Sequence, residues 1–377
     1  MRRLAPLLIL VLAFAGCFGG SDDSSDRTSS SDSGSGAADL GMPATATKNT
    51  TRIDSSDPAV SAAAIARATY PGKGPGTVVL ADGGDWRDAL TASVLSGSPL
   101  RAPVLLSAGT DMPDATRDAL KALAPTGSAD AGGAQVVRVG DVPRPAGLKA
   151  VDVTAATAEE TARAMDTFAS GVAGKPSRTV IVTSSEKPEI AMTAAGWSAR
   201  SSSPILFATH DAVPEVTKLA IQAHDKPRIY LLGGEDVLSK TVEQALAKLG
   251  KVTRVSGTDP TTTSIAAARL RDGAAGWAVD DPGHGLVFLS SKAPALAAGA
   301  APLSNAGTYG PPLVLPADGS LPAPLRAYLL DIQPGYAESP VRGVYNHGWI
   351  VGDRTLVPLA TQSAIDELLE ISPVRSQ

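Results

Sequence analysis

The sequence predicts an α/β protein of three tandem modules of the Rossmann or flavodoxin type, each built on a parallel sheet. Landmarks recur three times in the same order, each predicted strand is short and almost wholly apolar, and a helical stretch separates each strand from the next. Short apolar strands that alternate with helices are typical of parallel sheets covered on both faces. We therefore expect βαβαβ units with right-handed crossovers.

Two apolar strands mark the first half of each predicted module. The first strand opens onto a helix and recurs at 77–81, 179–183 and 285–289. The second strand begins with proline and recurs at 103–106, 204–207 and 312–315. An apolar residue followed by proline then recurs at Met112-Pro113, Val213-Pro214 and Leu321-Pro322. Because proline has a fixed φ and no N–H, we expect it to lie in the first turn of a helix.

A third strand that ends in glycine follows in each module, and a short strand precedes each module's first helix. The third strands are expected at 135–140, 228–233 and 349–352. The short strands are expected at 51–53, 150–153 and 252–255. This order predicts modules at 50–149, 150–250 and 251–377, close to the common domain size of about 100 residues.

The first sixteen residues have the parts of a secretory signal. Arg2 and Arg3 precede an apolar run that is too short to span a bilayer, and small residues follow it. Residues 14–17 (FAGC) resemble the bacterial lipobox, with Phe14 where leucine is usual. We expect cleavage after residue 16 and a lipid on Cys17, whereas the alternative is an ordinary signal peptide with a chance cysteine.

Cys17 is the one cysteine of the chain, so the mature body is expected to be stable without disulfides. Residues 17–49 are rich in Ser, Gly, Asp and Thr and contain few large apolar groups, which predicts a disordered tether after the acylated cysteine. The predicted location is the outer face of the bacterial cytoplasmic membrane, where the lipid anchors the protein and the body is exposed to the cell wall.

The charge of the chain argues against nucleic acid as a partner. The formal charge is −5, and loss of Arg2 and Arg3 leaves 31 basic against 38 acidic residues, or −7. No basic stripe interleaved with aromatic residues is present that could neutralise a phosphate backbone. A polyanion could still bind through a local patch.

Three segments resemble the cell wall-binding repeat 2 family, which occurs in threes on bacterial surface proteins. They are 253–260 (TRVSGTDP), 80–90 (LADGGDWRDAL) and 233–237 (GGEDV). The resemblance implies three Rossmann-like modules around a pseudo-threefold axis in a monomer. It also implies non-covalent binding to an anionic wall polymer, a polysaccharide or a teichoic-acid-like chain.

The chain departs from this family at one arginine. The family pattern is roughly R-(I/V)-x-G-x-D-R, but Pro58 follows Asp57, Pro260 follows Asp259, and the second module has no such dipeptide. If that arginine contacts an anion in relatives, this chain must bind its polymer by other contacts.

Candidate binding residues lie at predicted strand ends. Ligands of open parallel sheets bind beyond the carboxyl ends of the strands, where helix N-termini expose N–H groups. Asp85 also fits the simpler role of a helix N-cap, with Asp88 favouring the helix dipole. The candidates are the strand-end arginines and the aspartates of the family-like segments: Arg52, Asp82, Asp85, Asp88, Arg254 and Asp259.

No catalytic constellation, metal site or cofactor is predicted. The histidines lack metal-ligand spacing and are expected on the surface or in turns at positions 210, 224, 284 and 347. The sequence therefore favours a non-enzymatic surface lipoprotein that binds a cell-wall glycopolymer. The alternatives are a solute-binding lipoprotein of a transporter and an envelope hydrolase.

Overall fold

Three sheets with four parallel strands each form the framework of residues 44–273, 275–305 and 310–373, the part of the chain that this computed structural model describes. The predicted signal peptide, Cys17 and most of the predicted tether lie outside these residues. The predicted α/β class with tandem parallel-sheet units is confirmed.

The strands are short, as the apolar landmarks predicted. In chain order they are β1 Ala44–Ala46, β2 Thr50–Ile53, β3 Val78–Asp82, β4 Val104–Ser107, β5 Val136–Val139, β6 Ala150–Val153, β7 Thr179–Ser184, β8 Ile205–Ala208, β9 Arg228–Leu232, β10 Lys251–Val255, β11 Gly285–Ser290, β12 Pro312–Leu315, β13 Gly335–Tyr336, β14 His347–Val351 and β15 Ser372–Pro373.

Helices connect the strands. In chain order they are α1 Pro58–Thr69, α2 Trp86–Ala92, α3 Asp114–Leu123, α4 Ala158–Val172, α5 Pro188–Ser201, α6 Glu215–Gln222, α7 Lys240–Ala247, α8 Pro260–Arg269, α9 Leu296–Ala300, α10 Ala323–Asp331 and α11 Leu359–Leu369. Short 3₁₀ helices lie at Ser93–Ser96, Ala129–Ala131, Ala301–Ser304 and Pro340–Arg342. No helix in the described part of the chain has the length and apolar character needed to cross a membrane.

All three sheets use the same strand order, in which a module's first strand lies between its second and third. The orders are β4-β3-β5-β6, β8-β7-β9-β10 and β12-β11-β14-β2-β1. The fourth strand of the first two sheets is the short strand that opens the next predicted module. In the third sheet this place is taken by β2, which pairs in parallel with β14, with Val351 opposite Ile53. Each predicted module therefore completes its sheet with a strand from another, while the module boundaries stay a prediction.

Glycine ends the third strand of each sheet, as predicted. Gly140, Gly233 and Gly352 have φ values of 77°, 121° and 129°. These angles strain residues that carry a Cβ, so the turn out of each central strand requires glycine. The prolines predicted inside the first helical turn instead stand one position earlier. Pro113, for example, is the N-cap of α3, and its carbonyl accepts from Arg117 N at 3.0 Å.

Three helices that follow the first strands, α2, α5 and α9, contact one another in the interior. Helix α9 also packs closely against α1 through small residues. A Cβ on Gly299 of α9 would lie 2.7 Å from the Cβ of Ala62 in α1. Apolar residues of all three sheets join one continuous core. The pseudo-threefold axis itself stays a prediction.

Candidate functional site

Arg52 lies in the interior and not on a polymer-facing surface. It is 1% exposed, and its guanidinium donates to the carbonyls of Gly352 at 2.7 Å and Val357 at 2.8 Å and to Gln362 Oε1 at 2.7 Å. These acceptors belong to the loop after β14 and to α11, which lie far from β2 in the sequence. Arg52 therefore holds the third sheet's last loop in place, and its burial leaves no face for a polymer.

Arg254 makes the same set of contacts in the second sheet. Its guanidinium donates to the carbonyls of Gly233 at 2.8 Å and Leu238 at 2.9 Å, and it pairs with Glu243 at 2.9 Å. Only 15% of the Arg254 side chain is exposed. The arginine in the family-like segment thus stabilises the loop after the third strand.

The predicted aspartates of the first sheet do come together. Asp82 Oδ1 accepts from Gly84 N at 2.8 Å and from Gly109 N at 3.0 Å. Asp85 is the N-cap of α2, accepts from Arg87 N at 2.9 Å and pairs with the Arg87 side chain at 2.9 Å. Burial, and then the charges of Asp85 and Asp82, raise the pKa of Asp88 to about 6. This acidic cluster repels an anion.

Asp259 is the N-cap of α8, and its side chain accepts from Thr262 N at 2.8 Å. Asp57 caps α1 in the same way, with a bond from Ala59 N at 2.8 Å. Both carboxylates satisfy helix N–H groups that a bound anion would otherwise use. Of the candidates predicted from sequence, the acidic cluster therefore forms one group, while Arg52, Arg254 and Asp259 have separate structural contacts.

In the other two sheets, apolar side chains pack against the glycine that ends the third strand. A Cβ on Gly233 would lie 2.9 Å from Val237 Cγ1, and a Cβ on Gly352 would lie 3.1 Å from Leu356 Cβ. Both Val237 and Leu356 are buried. At the carboxyl ends of the strands, the first sheet thus carries an acidic cluster, and the loop after the third strand of the other two carries a buried apolar side chain.

A basic groove lies at the opposite edge of the second sheet, where β7 and β9 begin. One part, of about 710 Å³, runs past Arg178, Lys226 and Arg228. It adjoins a cavity of about 240 Å³ between α4 and the loop after the first 3₁₀ helix, whose rim carries Lys175. The two parts share Ser177 and Arg178, and we call them together the basic groove.

Three exposed cations in the basic groove have no partner among the described residues: Lys175, Arg178 and Lys226. Arg228 is also exposed and pairs with Asp272. The loops that carry the cations follow the C-terminal ends of α4 and α6, where basic side chains interact favourably with the helix dipole. Four basic side chains face two acidic ones, the exposed Asp225 and the half-buried Asp272, so the groove is electropositive in an acidic protein.

A buried ion pair supports the wall of this groove, where the sequence predicted a surface or turn histidine. The side chains of His224 and Asp166 are 1% and 5% exposed, and His224 Nε2 lies 2.8 Å from Asp166 Oδ2. His224 Nδ1 donates to the Ser177 carbonyl at 2.8 Å. Both ring nitrogens are therefore occupied, which leaves the imidazole no free nitrogen to activate a nucleophile.

A second groove, of about 780 Å³, lies in the first module and has apolar walls that include Leu120 and Pro143. Two of its cations are already in ion pairs, Arg117 with Asp114 and Arg144 with Asp152. Lys121 is its one basic residue without a partner among the described residues. Within the described part of the chain, no group of three or more His, Cys, Asp or Glu side chains could hold a metal ion.

None of Lys175, Arg178 and Lys226 was among the residues predicted from the sequence, because these cations come from two separate loops. The sequence pattern that could have revealed these cations is weak. Lys175 and Arg178 flank a proline just before an apolar strand, and Lys226 stands beside a proline before another strand of the same sheet.

Comparison with known proteins supports the resemblance found in the sequence. Residues 146–243 match the family model of the cell wall binding domain 2 (CWB2), so the resemblance is confirmed over this segment. The match includes 233–237 and all four cations of the basic groove, but not the segments 80–90 and 253–260. A search of curated proteins found no match.

Two solved structures share the fold. Cwp6 from Clostridium difficile superposes with a TM-score of 0.67 at 18% identity, over 87% of this chain and 51% of Cwp6. Cwp8 from Clostridium difficile gives a TM-score of 0.65 at 16% identity, over 86% of this chain and 52% of Cwp8. The chain thus spans about half the length of each.

Proposed function

We propose that this protein, whose residues 146–243 match the CWB2 family, is a non-enzymatic protein of the cell envelope that binds an anionic cell-wall glycopolymer. The observation that carries the proposal is a set of cations at 175, 178 and 226, which have no partner among the described residues and lie inside the matched segment. A polymer with regularly spaced phosphate or carboxylate groups is the ligand that such a groove favours.

These polymer-binding contacts differ from the ones that the sequence suggested. The family-like Asp57 and Asp259 are helix caps, and the family-like arginines Arg52 and Arg254 hold loops. Exposed side chains of the basic groove would supply the anion contacts instead. Such contacts are individually weak, so several must act along one polymer chain.

The fold does not favour the alternative of a transporter's solute-binding protein. That function needs two lobes that close on one ligand, whereas the three larger sheets of the described residues all contribute to one large apolar cluster. One type of hydrolase uses an accessible histidine base next to a nucleophile. The buried His224 does not fit that role, because Ser177 and Asp166 occupy both imidazole nitrogens.

Co-sedimentation tests the function. The full-length protein, purified in detergent, is mixed with isolated cell walls and with walls from which mild acid has removed the anionic polymers. We expect it to sediment with intact walls and to stay in solution with stripped walls. Equal sedimentation with both, or no more than that of an unrelated acidic protein, would overturn the proposal.

We also propose that a lipid on Cys17 anchors the protein outside the cytoplasmic membrane. The proposal rests on the lipobox-like residues 14–17. Metabolic labelling with palmitate should mark the wild-type protein and leave Cys17→Ala unlabelled. Equal labelling of both proteins would contradict the anchor.

A further inference from the structure

The ion pair beneath the basic groove has a fixed hydrogen-bond pattern. The Ser177 carbonyl can only accept, so His224 Nδ1 carries a proton. His224 Nε2 faces the carboxylate of Asp166 at 2.8 Å. A doubly protonated imidazolium satisfies both partners, whereas a neutral ring with its proton on Nδ1 turns a lone pair toward the carboxylate.

Two opposing effects act on the proton of His224. Burial lowers its pKa, but the hydrogen bond and the charge of Asp166, together with the Ser177 carbonyl, raise the pKa above its ordinary value of 6.5. When the imidazole is protonated, its charge and that of the Asp166 carboxylate cancel, so the pair is neutral overall.

The pair stands directly behind the cations of the groove. His224 bonds Ser177, which lies between Lys175 and Arg178 on the loop before β7. The charged groups around it are Asp166 from α4, the two cations of that loop, and Asp225 and Lys226 of its own turn. Asp166 alone among these bonds the ring.

Loss of the His224 proton changes the groove in two ways. It leaves the Asp166 carboxylate without a counter-charge beneath Lys175 and Arg178, so the potential felt by a bound anion becomes more negative. It also places an uncompensated charge in the interior, which loosens the contacts that hold the loop. Both effects disfavour an anionic ligand.

We propose that the His224–Asp166 pair makes the basic groove pH-sensitive, so that an anionic polymer binds when His224 is protonated and is released when it is neutral. This inference rests on the proposed function. Binding is therefore strongest well below the raised pKa of His224 in the folded protein and weakens as pH rises through that pKa. By reciprocity, bound polymer must raise the pKa of His224 further.

The test measures binding of poly(glycerol phosphate) to the full-length protein in detergent from about pH 5 to about pH 9, the range that spans histidine titration. The phosphodiesters keep their charge throughout this range. We expect affinity to fall by about fivefold or more with rising pH. The midpoint should follow the His224 imidazole titration seen by NMR.

Two variants separate this pair from other titrating groups. His224→Gln with Asp166→Asn keeps hydrogen-bonding groups but removes both charges, and should bind with little dependence on pH. His210→Gln removes a histidine that is 45% exposed and pairs with Asp211, so it should keep the wild-type pH dependence.

The outcomes distinguish a failure of this inference from a failure of the proposed function. Binding that stays constant across the His224 titration overturns the inference alone, as does an unchanged pH dependence in the double variant. No binding at any pH overturns the proposed function and this inference with it. If the double variant does not fold, NMR of the wild type decides, because added polymer must raise the His224 pKa and an unchanged value contradicts the coupling.

Discussion

Arg138 and Asp152 face each other on neighbouring strands of the first sheet, with Arg138 Nη1 2.6 Å from Asp152 Oδ1. Asp152 stands where the other two sheets have Arg254 and Arg52. Arg138 also donates to the carbonyl of Val142 in the loop after its strand. One interaction, an arginine that holds the loop after the third strand, is thus present in all three sheets, and in the first sheet the arginine has moved to the adjacent strand.

This exchange predicts a compensating pair of substitutions. In the second sheet, Leu231 lies opposite Arg254. Arg138→Leu alone should lower the free energy of unfolding by about 1–3 kcal/mol, because it leaves loop carbonyls without a donor. Adding Asp152→Arg recreates the arrangement of the second sheet and should recover most of the loss. Urea unfolding measures both, and a double variant no more stable than the single one would contradict the equivalence.

The close contact between α9 and α1 predicts that Gly299 cannot be enlarged. Gly299→Ala places a Cβ 3.0 Å from the Cα of Ala62 and should cost about 1–3 kcal/mol through overpacking. Gly171→Ala in α4 is the matched control, since its Cβ would meet nothing within 4 Å, and it should leave stability unchanged or slightly raised. Thermal unfolding compares the two, and equal melting temperatures would show that the interior is less tightly packed than described.

The acidic cluster predicts a specific pH dependence of stability. The pKa of Asp88 is about 6 in the folded protein against 3.8 for a free carboxyl, so the folded state holds the proton more tightly. Between about pH 4 and about pH 6, this group therefore lowers stability as pH rises. Asp88→Asn should flatten that part of the melting-temperature profile and raise stability at neutral pH. An unchanged profile would show that Asp88 is solvated like an ordinary aspartate.

Local patterns made most of the fold predictable. Each short apolar strand was followed by a helix, and Gly140, Gly233 and Gly352 marked turns that only glycine adopts without strain. The pairing of β2 with β14 was not predictable, because it joins residues about 300 positions apart and leaves no local periodicity.

The site was harder to predict than the fold. Arg52 was predicted as a binding residue at a strand end. It is buried instead, and the loop carbonyls that accept its hydrogen bonds come from the other end of the chain. The cations at 175, 178 and 226 become neighbours only through the pairing of β7 with β9. His224, expected on the surface or in a turn, lies in the turn after α6 and is buried, because Asp166, 58 positions away, supplies its counter-charge.

The central claim, that the basic groove holds the wall polymer, is tested most directly by neutralising the three cations that have no partner in the described part of the chain. The groove variant carries Lys175→Gln, Arg178→Gln and Lys226→Gln. The control variant carries Lys73→Gln, Lys240→Gln and Lys248→Gln, which are equally charged and exposed but line neither part of the groove. Both variants change the net charge by the same amount.

The measurement is the dissociation constant for poly(glycerol phosphate) at low salt and at about 0.15 M salt. Three exposed charge contacts of about 0.5–1 kcal/mol each predict that the groove variant binds about tenfold or more weakly. It should also lose most of the salt dependence, while the control binds like the wild type. Equal weakening of both variants would show that net charge alone attracts the polymer and would contradict a site in the groove.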